Sequence, residues 1–251
     1  MIHVAGLWRY PIKSHGREAL DEVTLVAGQT MPWDRHWAVA HDSSKFDPTA
    51  PEWVRCRNFM IGASTPGLAG IWAQLDDATG MLTLRHIDLG EIIFSPDDAA
   101  DQERFLAWVR PLCADDKPLP ASIVTVKDRG MTDTPDPTIS IMTHASHKAV
   151  AGRLGRPLEL ERWRGNIWLD GTAPWEEFEW MDRDLRIGEA EFHVNARVVR
   201  CKHTMSNPRT GLRDTDTLAV LREGWDHQDF GIYAIVTKGG KVAMNDKVEV
   251  I

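Results

Sequence analysis

Short runs of alternating apolar and polar residues, separated by turn-forming residues, recur along most of this 251-residue chain. Residues 71–75 and 81–85 flank the segment Asp76–Gly80, whose glycine suits the positive φ that a hairpin turn needs. A Gly239-Gly240 turn divides the last part of the chain in the same way. Strands this short and this closely spaced predict antiparallel barrels or sandwiches with a few helices attached.

Two segments have the terminal signals of helices. Ser95 is a plausible N-cap with Pro96 in the first helical position, and Pro111 would stop that helix. Thr143 would cap a second helix that ends at Gly155. The predicted fold class is therefore α+β and mostly β.

The polar, proline-bearing residues 114–120 resemble a linker between two periodic parts of the chain. We therefore predict two domains, residues 1–117 and residues 118–251. Residues 158–163 and 166–169 are among the short strands predicted for the second domain.

Composition excludes several classes of protein. The net charge of −8 and the lack of a long basic face argue against nucleic acid as the main partner. No signal peptide and no long apolar run is present, so we expect a protein without a membrane span. Three widely separated cysteines indicate a reducing compartment rather than a disulfide framework, and a cytoplasmic location follows by default.

One of these cysteines, Cys201, lies in a stretch with a positive net charge, opposite in sign to the net charge of the whole chain. Residues 194–213 contain five Arg or Lys and no Asp or Glu. Cations near a thiol stabilise its thiolate, which is the form that binds metals and attacks electrophiles. This pattern predicts a thiolate at a strand end in a site for an anionic group. The alternative is a small buried cysteine beside a solvated basic loop.

Three other segments could contribute to an anion site. Lys13-Ser14 follows the first predicted strand directly, and Thr143–Ser146 opens a helix whose free N–H groups favour an anion. Arg162 and Arg164 alternate to one side of a predicted strand, and Gly165 would let a ligand approach the backbone. The alternatives are a surface turn, simple helix capping and two solvated arginines at a sheet rim.

Common catalytic motifs are absent from the sequence. No HExxH, CxxC, P-loop, GxGxxG or GxSxG occurs, so zinc hydrolases, iron–sulfur sites, common nucleotide sites and esterases have little support. Four aspartates are interpreted as turn formers and caps: Asp133, Asp136, Asp214 and Asp216.

A set of short motifs, specific in their order and spacing, matches a known family. The chain resembles MOSC-domain proteins that also have an N-terminal β-barrel domain, and it is similar in pattern to the amidoxime-reducing molybdenum enzymes. The motifs are Tyr10-Pro11-Ile12-Lys13-Ser14, Asp34-Arg35-His36-Trp37, Ile141-Met142-Thr143-His144-Ala145-Ser146, Arg164-Gly165-Asn166-Ile167, Arg200-Cys201 and Phe230-Gly231-Ile232-Tyr233. The resemblance implies an antiparallel β-barrel MOSC domain in residues 118–251, packed against a β-barrel-like domain in residues 1–117.

The resemblance also implies a molybdenum cofactor (Mo-molybdopterin) in a cleft between the domains, with Cys201 as the protein ligand of the metal. The implied contacts to the pterin are Lys13, Ser14, Arg35, Thr143, Ser146, Arg164 and Asn166. Arg164 is further expected to stabilise charge on a leaving oxygen. His144 departs from the pattern, because an acidic residue often occupies that place in the amidoxime reducers.

The function implied is reduction of N-hydroxylated small molecules by oxygen-atom transfer. The chain has no iron–sulfur cluster motif, so the electrons would come from a separate protein of iron–sulfur, flavin or cytochrome b5 type. One alternative is a persulfide sulfur carrier, or a cofactor-binding protein without turnover, that uses the same cysteine. A further alternative is oxidation of a small anion such as sulfite, which the sequence does not distinguish from reduction.

Overall fold

The computed structural model describes every residue from Met1 to Ile251. It contains fifteen strands and three α-helices, which confirms the α+β, mostly-β class. The strands are β1 (His3–Arg9), β2 (Glu18–Leu20), β3 (Glu22–Leu25), β4 (Trp37–His41), β5 (Trp72–Leu75), β6 (Leu82–His86), β7 (Gly90–Phe94), β8 (Pro120–Thr125), β9 (Thr138–Thr143), β10 (Ile167–Asp170), β11 (Asp184–Ile187), β12 (Ala190–Val199), β13 (Asp229–Lys238), β14 (Gly240–Ala243) and β15 (Val248–Val250). The helices are α1 (Ala99–Val109), α2 (His144–Leu154) and α3 (Thr217–Trp225). None of the three helices combines the length and the apolar character that crossing a membrane requires.

The largest sheet has eight strands in the order β15-β11-β12-β13-β9-β10-β1-β2. Its neighbours pair antiparallel except β9 and β10, which run parallel. In the first half of β12 every second side chain is buried, so Phe192 and Val194 enter a core that also contains Ile141 and Ile232. The two-residue period of a strand produces this division between a core face and an outer face.

A second core lies in the first half of the chain, around the β5–β6–β7 sheet and α1. The rings of Phe94 and Phe105 stack there with centroids 4.9 Å apart. The predicted helix is present but its cap is not Ser95. Asp98 is the N-cap, and its carboxylate accepts the Asp101 N–H at 3.0 Å. Ser95 instead donates its own backbone N–H to the Asp101 carboxylate at 2.8 Å.

The predicted strand at residues 158–163 is wrong. Residues Leu160–Trp163 form a single 3₁₀ turn, and Arg164 after it adopts φ of +52°. Arg162 is held in this turn by Glu159 at 2.7 Å and by Asp214 at 2.8 Å. Asp214 lies far along the chain, so its ion pair with Arg162 is not visible in the local pattern, which by itself favours a strand. The helix α3 was missed, although Asp216 caps it as expected for an aspartate.

Strand pairing connects the two halves of the chain. β1 pairs with β10, β3 pairs with β14, and β8 pairs with β4. The division at residues 117 and 118 stays a prediction, because strands from either side of it share sheets. Because strands of the two halves pair with each other, the loop after β1 lies next to the loop that follows β12 and the loop that precedes β10. The candidate site lies among these three loops.

Candidate functional site

A cavity of about 260 Å³ lies where residues from the two halves of the chain meet; we call it the Cys201 cavity. Five residues predicted for the site contribute to its wall: Lys13, Ser14, Arg35, Arg164 and Cys201. They come from four separate segments, so only the tertiary fold brings them together. A concave space with a few convergent polar groups is the usual form of a small-molecule site.

Three residues in the cavity wall have a left-handed backbone although none is glycine. Their φ values are +64° for Ser14, +52° for Arg35 and +52° for Arg164. A side chain at positive φ costs free energy, so the surrounding contacts must impose it. For Arg35 the backbone N–H donates to Tyr10 O at 2.7 Å and the carbonyl accepts from Met131 N–H at 2.7 Å. Such strain concentrates at functional sites, because it orients side chains that the fold must hold in place.

Arg35 and Arg164 share one aromatic platform. Their guanidinium carbons lie 4.9 Å and 4.2 Å from the centre of the Tyr10 ring, and Tyr10 donates its hydroxyl to Gly165 O at 2.9 Å. Arg35 is paired with Asp34, its sequence neighbour. The planar guanidinium suits both this stacking and bidentate recognition of anions.

Arg164 has hydrogen-bonding capacity to spare. Its Nη1 donates to Gly16 O at 3.1 Å, whereas its buried Nη2 has no partner. Burial, together with the charge of Arg35, lowers the pKa of Arg164 to about 10, so the side chain is still charged at neutral pH. Because a buried unpaired donor is costly, this nitrogen is a candidate for contact with a bound anion.

Lys13 is paired with an acid inside the Cys201 cavity. Its Nζ donates to Met131 O at 2.8 Å and forms an ion pair with Asp133. Burial alone would raise the pKa of Asp133, but Lys13 and Arg35 oppose it and hold the pKa at about 2. The interpretation of Asp133 as a turn former is thus incomplete, because its carboxylate is part of the cavity wall.

Cys201 follows the end of β12 and is exposed, which removes the alternative of a sealed apolar cysteine. The expected thiolate is not favoured in the protein alone. Desolvation by the surrounding atoms raises the pKa of Cys201, and this outweighs the opposing effects of a backbone hydrogen bond from His203 and of the Arg200 charge. Arg200 instead donates its Nε to Phe230 O and its Nη1 to Trp163 O, both at 2.8 Å. Two nitrogens of the Arg200 guanidinium are therefore occupied by backbone carbonyls of the fold.

Two of the predicted cofactor contacts lie outside the cavity wall. Thr143 and Ser146 are fully buried at the start of α2, and an internal acid, Glu177, meets them there. Ser146 donates its hydroxyl to Glu177 Oε2 at 2.9 Å, and the Thr143 hydroxyl lies 3.1 Å from the same oxygen. Ser146 Oγ also accepts the Trp175 N–H at 2.7 Å. The expected anion at this helix N-terminus is therefore supplied by the protein itself. Cofactor contact by these two residues stays a prediction that their placement does not favour.

Asn166 is also buried away from the cavity wall. Its Oδ1 accepts the Ser140 hydroxyl at 2.8 Å, and its Nδ2 donates to Trp8 O at 3.2 Å. These bonds connect β9 to β1 through Asn166, which supports the cavity wall from behind because Ser140 lines it. A direct contact with a cofactor stays a prediction.

Cavity residues that were not predicted for the site include Cys56, His203 and Tyr233. Tyr233 belongs to a motif of the resemblance, and its alternation with buried Ile232 on β13 could have placed it on the opposite face. Burial raises the pKa of Tyr233 to about 12, so its phenol keeps its proton. Burial and then Arg164 lower the pKa of His203 to about 3, so this imidazole is neutral. No local signal distinguishes Cys56.

The cavity as a whole is suited to an anionic group that also binds a thiol. Five cations line it: Lys13, Arg35, Arg162, Arg164 and Arg200. Lys13 is paired with Asp133, Arg35 with Asp34, and Arg162 with Glu159 and Asp214. The sulfur of Cys201 is its exposed soft ligand.

Comparisons with known proteins identify the family of this chain. Family models match the MOSC N-terminal beta barrel domain over residues 1–116 and the MOSC domain over residues 128–249. A molybdenum cofactor sulfurase from Drosophila grimshawi is 41% identical over 75 residues, which are 30% of this chain and 10% of that protein. Molybdenum cofactor sulfurase 2 from Culex quinquefasciatus is 36% identical over a match of the same extent. The matched segment thus spans about a tenth of the length of these relatives.

The solved structures that align with this chain have lower sequence identity. The YuaD protein from Bacillus subtilis aligns with 100% of this chain and 96% of its own, with a TM-score of 0.49 and 15% identity. YiiM from Geobacillus stearothermophilus aligns with 45% of this chain and 53% of its own, with a TM-score of 0.36 and 18% identity.

Proposed function

Because the chain belongs to the MOSC family, with an N-terminal β-barrel domain ahead of its MOSC domain, we propose that it is a molybdenum-cofactor-dependent oxidoreductase. The proposed reaction is reduction of N-hydroxylated small molecules by oxygen-atom transfer. The observation that carries the proposal is the meeting of an exposed Cys201 thiol and the cationic Lys13, Arg35 and Arg164 in one cavity.

The residues of the cavity fit an anionic pterin cofactor with a soft metal. The buried Nη2 of Arg164 lacks a partner, and an anionic group is the partner that a guanidinium prefers. Thiolate sulfur is among the soft ligands that proteins offer to metals. A cofactor of this kind needs both a cation for its anionic part and a sulfur ligand for its metal.

In the proposed holoprotein, Cys201 would be the protein ligand of molybdenum. Lys13, Ser14, Arg35 and Arg164 would hold the anionic part of the cofactor. When bound, this cofactor would supply two-electron oxygen-atom transfer. The pKa of Cys201 is raised in the protein alone, so metal binding would have to displace the thiol proton.

The protein's own contribution would be positioning and charge. Arg164, fixed by its left-handed backbone and the Tyr10 ring, would stabilise negative charge on a leaving oxygen. Tyr233 keeps its phenol proton at neutral pH and can donate a hydrogen bond within the cavity. The proposal includes a small-molecule substrate and a separate electron-donor protein of iron–sulfur, flavin or cytochrome b5 type.

The test is to express the full chain in a host that makes the molybdenum cofactor. Molybdenum per chain and reduction of an N-hydroxylated amidine by a reduced viologen dye are then measured. We expect stoichiometric metal and turnover in the wild type, and loss of both in Cys201→Ala. Cys113→Ala, which changes a buried cysteine of the first core, should retain both. Unchanged turnover in Cys201→Ala would remove this sulfur from the reaction.

A persulfide carrier is the second candidate, and the curated relatives favour it. The proteins that match over 75 residues are molybdenum cofactor sulfurases, so sulfur transfer is the activity their names suggest. In that case Cys201 would bear a second sulfur atom. Intact mass spectrometry separates the candidates, because a persulfide adds one sulfur to Cys201 whereas the oxidoreductase requires stoichiometric molybdenum.

A further inference from the structure

Two of the three cysteines of this chain open into the same cavity. Cys56 comes from the first half of the chain and lies at the start of a 3₁₀ turn, whereas Cys201 follows β12 in the second half. Both contribute to the wall of the Cys201 cavity. The third cysteine, Cys113, is buried among the apolar residues around α1. The fold therefore separates a pair of accessible thiols from a sealed one.

The two thiols lie in the wall of one small cavity. The cavity that they share has a volume of only about 260 Å³. Besides burial, the charge of Asp133, which lines the same cavity, raises the pKa of Cys201. The pKa of Cys56 is also raised, first by burial and then by the charge of Asp133. The same acid thus lies beside both sulfurs.

The segment before Cys56 can accommodate a small displacement. Residues 42–55 contain no helix or strand, so no backbone ladder fixes this part of the chain. It is held by separate side-chain contacts, such as the hydrogen bond from Trp53 Nε1 to Thr132 O at 3.0 Å and the packing of Phe46 and Val54 against the apolar cluster of Phe59. A disulfide needs its two Cα atoms within about 7 Å. A chain segment of this kind can supply the adjustment.

We propose that Cys56 and Cys201 form a reversible disulfide across the cavity when no group is bound to Cys201. Hydrogen peroxide oxidises Cys201, through the fraction of it that is thiolate, to a sulfenic acid and is itself reduced to water. The Cys56 thiol then attacks that sulfur, an S–S bond forms, and the sulfenic oxygen leaves as a second water molecule. The thiol pair loses two electrons in total and the peroxide gains them. A dithiol reductant reverses the step by thiol–disulfide exchange.

This bond would have two consequences for the protein. It would protect Cys201 from irreversible oxidation to sulfinic and sulfonic acids while the cavity is empty of ligand. It would also prevent the Cys201 sulfur from binding a metal or carrying a persulfide until a reductant restores the thiol. The inference depends only on the two thiols and their common cavity, so it stands or fails independently of the proposed oxidoreductase activity.

The experiment uses the full chain purified from a host that does not make the molybdenum cofactor. The protein is treated with graded hydrogen peroxide, alkylated, digested without reductant and mapped by mass spectrometry. We expect a linked peptide pair that contains Cys56 and Cys201, the loss of two hydrogen atoms from the intact mass, and full reversal by dithiothreitol. Absence of this pair at a peroxide level that drives Cys201 to sulfinic acid would overturn the proposal, and this result needs no variant.

Matched variants give a second readout. Cys56→Ala should accumulate sulfinic and sulfonic acid at Cys201 at least severalfold faster than the wild type, because the resolving thiol is gone. Cys113→Ala should behave as the wild type. Equal rates of Cys201 overoxidation in Cys56→Ala and the wild type, or links only between different molecules, would also overturn the proposal.

Discussion

The Cys201 cavity and the N-terminus of α2 are both predicted anion sites, and the structure treats them differently. At α2 the donors Thr143 and Ser146 are buried and meet the carboxylate of Glu177. In the cavity, Arg164 keeps a buried Nη2 without any partner. The comparison teaches that buried donors stabilise the fold when the chain supplies an anion for them, as Glu177 does for Thr143 and Ser146. A buried donor such as Nη2 of Arg164, for which the chain supplies no acceptor, is available to a ligand.

The largest expected effect separates the two sites directly. Arg164→Met removes the unpaired donor and its charge but keeps an unbranched side chain beside Tyr10. A charge-assisted hydrogen bond is worth about 1.5–3 kcal/mol, so we expect cofactor affinity to fall about tenfold to a hundredfold. The measurement is molybdenum per chain before and after dialysis.

Arg186→Met is the matched control, because Arg186 lies on β11 with a half-exposed side chain and surface ion pairs to Glu191 and Glu249. Metal retention in Arg164→Met equal to that in Arg186→Met would contradict the assignment of the cavity as the anion site.

The second prediction concerns stability rather than binding. Ser146→Ala deletes a donor to Glu177 and an acceptor for the Trp175 N–H. Buried groups that lose a partner cost about 1–3 kcal/mol, so the free energy of unfolding should fall by that amount. Urea unfolding followed by circular dichroism measures it.

Ser64→Ala, which alters an exposed hydroxyl, should change stability by much less. The molybdenum content of folded Ser146→Ala should remain that of the wild type. A selective loss of metal in this variant would restore Ser146 as a cofactor contact.

The third prediction is a pH dependence at α2. Burial raises the pKa of the Glu177 carboxyl above its ordinary value of 4.5, and the hydrogen bonds from Ser146 and Thr143 offset this only in part. The folded protein therefore binds a proton more tightly than the unfolded chain, and stability falls as pH rises through the interval between the two pKa values. Glu177→Gln lacks this ionisation.

The stability of the wild type relative to Glu177→Gln should thus decline with increasing pH above 4.5 and level off once Glu177 is ionised in both states. Urea unfolding of both proteins across a pH series measures the difference. A constant difference would show that the folded-state pKa of Glu177 is not raised.

The smallest expected effect is at Asp133, the acid in the wall of the Cys201 cavity. Asp133→Asn removes its ion pair with Lys13, whose Nζ still donates to Met131 O. The Asp133 side chain is 57% exposed, so the cost to stability should stay below about 1 kcal/mol. The freed Lys13 should bind inorganic phosphate severalfold more tightly by titration calorimetry. Asp136→Asn, in the same loop, is the control, and equal phosphate affinity in the two variants would argue against competition by Asp133.

The sequence by itself determined the elements and the chemistry of single residues. Alternation of apolar residues predicted most strands, and Thr143 and Gly155 fixed the ends of α2 because caps act within one turn. The motifs around Lys13, Arg35, Arg164 and Cys201 identified the family and five residues of the cavity wall. Local patterns carry this information because strand periodicity and capping depend on neighbours in the chain.

Only the tertiary structure decided which donors are left for a ligand. Glu177 reaches α2 from a distant segment and completes its hydrogen bonds, whereas nothing reaches Nη2 of Arg164. Cys56 and Asp133 join the cavity wall for the same reason, without any local sign in the sequence. Hydrogen bonds, burial and charge act through space, so the partner of a side chain is set by packing between segments that are far apart in the chain.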